Sequence, residues 1–114
     1  MATIPQTSAP TNTSKAYIAK WANVANGDVC ASSASAQYAD KSVQVFGTFG
    51  SSGQVAIEGS NDGVNWAGLT DPQANALVFT GAKIEMVSEA TMYIRPVVTG
   101  DGATSLTVLI LMKE

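Results

Sequence analysis

A chain of 114 residues is one domain's worth of sequence, enough for a single modest core. Its formal charge is −3, and its six basic residues (Lys15, Lys20, Lys41, Lys83, Arg95 and Lys113) are scattered without forming a basic patch, which argues against direct nucleic-acid binding. Charged residues make up 13%, against the roughly 25% usual for soluble domains, so part of the surface is expected to be covered by partner subunits.

Residues 1–15 read as an extended or flexible N-terminal arm. Pro5 and Pro10 deny it regular hydrogen bonding, and Ile4 is its apolar anchor among Thr, Ser and Gln. Met1–Lys15 lacks the basic start and apolar run of a signal peptide. From Ala16 to Val24, Tyr17, Ala19 and Trp21 alternate with Ile18, Lys20 and Ala22, predicting a strand with an aromatic face. Asn26-Gly27 is a turn signal; in the ambiguous stretch Asp28–Asp40 that follows, Val29 and Cys30 leave open a continued hairpin, while the Ala/Ser run from Ala31 to Ala39 predicts irregular chain.

Ser42–Phe49 alternates as a strand, with Gly47 marking a bulge or a close approach. Gly50–Gly53 turns the chain. Gln54–Ser60 then opens a predicted β-hairpin whose tip is Asn61, Asp62 and Gly63 and whose return begins at Trp66. Asp71-Pro72-Gln73 turns the chain again, and Leu77–Thr80 and Lys83–Val87 are short strands. Thr91–Thr99 and Ser105–Lys113 are the longest strands, and the short Gly-rich link between them predicts that they pair as a hairpin. Pro96 places its part of the strand at an edge or a bulge. Leu109 and Leu111 are apolar on the face opposite Leu106, Val108 and Ile110, so the last strand needs cover on both sides. The leading expectation is an all-β, antiparallel β-sandwich or jelly-roll-like domain over residues 16–114, with a closed barrel as runner-up.

The candidate chemistries are few. The chain contains no histidine, which removes the usual general base, the Ser/His/Asp triad and histidine-ligated zinc. Cys30 is the only cysteine and reads as a small buried hydrophobe. Glu58 with Asp62 and Glu85 with Glu89 read as solvated carboxylates rather than a glycosidase pair. Asn61-Asp62-Gly63 and Gly100-Asp101-Gly102 lack the further oxygen ligands of a calcium loop and read as turns. No cofactor, metal or catalytic residue is expected. Leu106–Met112, the most apolar run, is seven residues, too short for a helical membrane span of about 20. Trp21 and Trp66, with Tyr17, Tyr38 and Tyr93, leave open a carbohydrate-stacking face, although tryptophan also serves as a core or interface anchor.

From Ser42 to Leu111, the segments VQVFGTFG, VAIEGSNDGVNWAGLTDPQANALVFT and EATMYIRPVVTGDGATSLTVLI resemble the small all-β capsid decoration, or cement, proteins of tailed bacteriophages and prophages. The elements carrying the resemblance are Glu58–Gly63, Asn65, Trp66, Asp71, Pro72, Tyr93, Arg95 and Pro96. It implies a non-enzymatic virion protein, made in the bacterial cytoplasm, that sits on the outer surface of the phage head. There it would bridge major capsid proteins as a homo-oligomer, dimer or trimer, with no membrane or nucleic-acid partner. On that basis oligomer contacts are expected at Leu109, Leu111, Val97 and Trp21, and capsid contacts at Ile4, Pro5, Pro10 and Lys15 in the arm, together with the loop tips. The competing functions are a glycan- or receptor-binding appendage and a tail or neck subunit.

Overall fold

The computed structural model describes residues 2–114 and is all-β. Its strands are β1 (Thr3–Ile4), β2 (Thr7–Ala9), β3 (Ala16–Ala25), β4 (Val29–Cys30), β5 (Ser33–Ala34) and β6 (Asp40–Thr48), followed by β7 (Gln54–Ser60), β8 (Ala67–Gly68), β9 (Val78–Phe79), β10 (Lys83–Val87), β11 (Tyr93–Thr99) and β12 (Ser105–Lys113). A main antiparallel sheet has the order β10-β6-β12-β3-β2. The second sheet runs β5-β11-β7, with β8 and β9 both along the far edge of β7. The strands alternate as period 2 requires, and their inward sets meet in one core. Ala19, Trp21, Val43, Val45, Leu106, Val108, Ile110 and Met112 come from the main sheet, and Val55, Ile57, Ile94 and Val98 from the second. The two sheets form a sandwich.

The expected β11–β12 hairpin is not formed, because the two strands lie in different sheets. β11 pairs with β7 through Ile94↔Gly59 and Val98↔Val55, whereas β12 sits between β6 and β3. The reason is the double-sided apolar pattern of β12, which suits the centre of a sheet, while the inward set of β11 belongs on the opposing wall. The link 100–104 is therefore a corner between sheets, as is the link 49–53 from β6 to β7. The two corners are clasped together by Asp101. Its Oδ2 accepts Ser51 N–H at 2.8 Å, Ser51 Oγ–H at 2.7 Å and Ser52 N–H at 3.2 Å, while its Oδ1 accepts Ala103 N–H at 2.9 Å. Thr104 Oγ donates to Phe49 O at 2.9 Å, closing the second side. Gly50 has φ +71°, and a Cβ there would press into the Asp101 carboxylate, so the clasp needs glycine on both counts.

Trp21 is expected from sequence at an oligomer surface, but it is the largest fully buried side chain, at 0% exposure, and its indole N–H donates to Ala31 O at 2.8 Å. Truncating a side chain so placed costs about 3–5 kcal/mol. A bulge in β3 lets the strand fill the core on both sides of this tryptophan. Leu106 pairs with Val24 but Val108 pairs with Trp21, leaving Ala22 and Asn23 opposite Thr107. Asn23 takes φ +54°, a conformation asparagine tolerates, and the phase of the alternation shifts so that Val24 also points inward.

The N-terminal segment lies docked along the domain rather than free of it. β1 pairs parallel with β4, and β2 adds to the edge of the main sheet along β3. Ala2 O and Ile4 O accept Val29 N–H and Ala31 N–H at 2.8 and 2.9 Å, and Gln6 Nε2 donates to Tyr17 Oη. Ile4, expected at a capsid contact, packs partly buried against the domain's own core. Pro5, Pro10 and Lys15 remain exposed, and Met1, the first residue of the expected arm, lies outside the described residues.

Gly47 marks a close approach, as its position in the β6 pattern predicts. It has φ +128°, and a Cβ would lie 2.5 Å from Ser105 O of β12. Gly47→Ala is expected to lower stability by about 1–3 kcal/mol. Gly68→Ala, where a Cβ meets nothing within 4 Å, should be near neutral. Urea midpoints of the two variants measure the contrast, and equal losses would show that the β6–β12 contact is not tight.

Candidate interaction surface

The main sheet has one face in the core and the other uncovered. Register fixes which side chains share the uncovered face. One row across β10, β6, β12, β3 and β2 reads Ile84, Gln44, Leu109, Lys20, Thr7, and the next reads Met86, Ser42, Leu111, Ile18, Ala9. Leu109, Leu111 and Ile18 are half-buried by one another, and Ile84 is 61%, Met86 47% and Phe46 40% exposed. Between the Leu109/Leu111 ridge and the Ile84/Met86 ridge the short side chain of Ser42 on β6 leaves a groove of about 450 Å³, continued by a hollow of about 200 Å³ beside Gln44. Asp40 and Lys113, a register pair, stand exposed at one end of it.

The outer face of the second sheet has a different character. Arg95 and Glu58 are cross-strand partners, and both Nε and Nη2 of Arg95 donate to Glu58 Oε1, at 3.1 and 2.9 Å. The guanidinium lies 4.0 Å over the Trp66 ring, a stacked cation–π contact. Trp66 arrives there because the 61–66 loop folds back over β11. The predicted hairpin exists through Glu58↔Gly68 and Gly59↔Ala67, but Trp66 lies just before the return strand. Asp62 organises its tip, accepting Val64 N–H, Asn65 N–H and Asn65 Nδ2–H at 2.8 Å each and Ser60 Oγ–H at 2.9 Å.

Other carboxylates act in the same way. Asp71 Oδ1 accepts the N–H groups of Gln73 and Asn75, Asp28 those of Ala2 and Ala25, and Glu89 binds the Thr70 N–H and hydroxyl. These acids hold loops in shape. Burial pushes the Cys30 thiol up to about 11, leaving it a poor nucleophile. Burial also lowers the pKa of Lys41, whose ammonium donates to Tyr38 O at 3.3 Å beside the core. No group of three or more potential metal-ligating side chains occurs among the described residues.

Leu109 and Leu111 thus lie together on the uncovered face. Val97, grouped with them by sequence, is half-buried on the outer face of the second sheet, on the other side of the molecule, and lines a hollow with Val29 and Cys30. The aromatic residues do not share one platform. Trp21 is in the core, Tyr17 and Tyr38 stack at 6.4 Å, and only Trp66 and Tyr93 share a face. Sequence reasoning missed Ile18, Ile84 and Met86, although Ile84 and Met86 stand at the alternate positions of a short, charge-flanked strand. Comparison with protein-family profiles, curated proteins and solved structures finds no match for this chain.

Backbone N–H donation from Asn65 and Val64 holds the Asp62 carboxyl well below the usual carboxylate range, and donation from Ser51 and Ala103 does the same for Asp101. A depressed folded pKa contributes stability that is fully present above the unfolded value, about 4, and is lost as pH falls through the folded value. The urea midpoint should therefore drop between pH 7 and pH 3, and Asp101→Asn should shrink that drop. An unchanged midpoint in the parent protein at pH 3 would refute the role given to these carboxylates.

Proposed function

We propose that this protein is a structural subunit of a phage particle, a decoration protein that binds the outer surface of a tailed-phage head and stabilises its lattice. The observation that carries this reading is the uncovered apolar face of the main sheet. An exposed patch of this kind is a liability for a free monomer and a contact surface for a protein held among repeated neighbours. The resemblance of Ser42–Leu111 to cement proteins supports the same reading, as does the use of its carboxylates to brace loops. Capsid contact falls to the exposed edge formed by β2 with Pro10 and Lys15, where the outer backbone groups of an edge strand are available for pairing.

A protein that binds the mature lattice alone stabilises it by mass action. Purified particles of the phage encoding this chain should carry on the order of hundreds of copies, set by shell symmetry. Particles lacking it should release DNA at a lower temperature than complete ones. About a dozen copies would indicate a neck or tail part, and identical heat release would end the cement reading. Deleting residues 2–9 removes β1 and β2 and should reduce capsid occupancy; full occupancy by a folded truncation would remove the edge from the contact.

A further inference from the structure

The uncovered face is complementary to itself. β12 carries a ridge, Leu109 and Leu111, and its neighbour β6 carries a trough, Ser42 and Gln44, in the same two rows. A two-fold axis lying in the contact plane, parallel to the strands and midway between β6 and β12, lays β12 of each copy over β6 of the other. Leu111 then enters the trough above Ser42 of the second copy, Leu109 covers its Gln44, and Ile18 meets its Met86. The charges agree with the same operation. Lys113 and Asp40 are register neighbours on this face, and among the described residues neither forms an ion pair within the chain. The axis sets Lys113 of each copy opposite Asp40 of the other, two equivalent pairs that favour this register over a shifted one.

Lys20 is the one charge within the two apolar rows. The operation separates the two copies' Lys20 by three strand spacings, about 14 Å, beyond the screening length of about 8 Å. Each stem lies along the outer strand of the other copy, where its ammonium reaches solvent. Size is adequate as well. Four strands, β10, β6, β12 and β3, oppose one another under this axis; at about 4.8 Å apart, with the central two about 30 Å long and the β10 overlap about 17 Å, they give a face of about 450 Å² per copy, the small size of a weak, micromolar interface.

We infer that the chain forms a two-fold dimer in which the uncovered faces of two main sheets pack ridge into trough, with reciprocal Lys113–Asp40 pairs. This dimer does not depend on the capsid reading, since it is tested on the isolated protein.

Sedimentation equilibrium of the full chain at about 10–300 µM should give a dimer, with Kd within the micromolar range. Ser42→Arg, which blocks the trough from a solvent-facing position, and Leu111→Glu should each raise Kd about ten-fold or more while the circular dichroism stays native. Should Leu111→Glu fail to fold, Ser42→Arg decides alone. Lys113→Glu and Asp40→Lys should each weaken the dimer, and the double exchange should recover it. A monomer throughout the range, a trimer, or a dimer indifferent to Ser42→Arg would overturn the inference.

Discussion

The Asp101 clasp is the interaction on which the arrangement of the two sheets depends. Both of the short corners 49–53 and 100–104 carry the chain from one sheet to the other, and one carboxylate binds backbone donors from each. Without an agreed geometry for these corners, β6 and β12 would not meet β7 and β11 at the spacing that closes the core. The glycine at position 50 and the threonine at 104 belong to the same unit, one by leaving room and the other by bonding Phe49 O.

That clasp is one case of a general economy in this protein. Its charge is low, and most of its acids are placed where loop backbone N–H groups need an acceptor. Asp62 shapes the 60–65 tip, Asp71 the turn at Pro72, Asp28 the junction with the N-terminal segment, and Glu89 the loop beside Thr70. A side chain saturated by donors from its own loop has little acceptor capacity left for substrate or metal. The surface chemistry then rests on shape and apolar area.

The two faces of the sandwich differ in how much of their own surface the chain covers. On the second sheet, Arg95 is stacked on Trp66 and bonded to Glu58, so the 61–66 loop covers that part of the face, while Val78 and Val29 stay exposed beyond it. On the main sheet nothing among the described residues covers Ile18, Ile84, Met86, Leu109 and Leu111. Placing β12 at the centre of its sheet satisfies its backbone on both edges and its inner face in the core, leaving only this outer face for a neighbour.

Much of this was legible in residue order. Period-2 alternation in 16–24, 42–49, 54–60, 91–99 and 105–113 determined the strands, their inward sets and the all-β class. Turn chemistry at Asn26-Gly27 and Asp71-Pro72 determined where the chain reverses. The double-sided pattern of Leu106–Met112 showed that the last strand would want cover twice. Alternation is a local property, so it could not say which strands pair. The Gly-rich link after Thr99 serves a hairpin and a sheet-to-sheet corner equally well, and only the packing of β12 between β6 and β3 chose the corner. The shift at Asn23 that buries Trp21 together with Val24, the docking of β1 and β2, and the placing of Val97 and Leu111 on opposite sides of the molecule are likewise outcomes of long-range pairing. Register across strands distant in sequence assembles Ile18, Ile84 and Leu111 into one surface, and no single strand contains that information.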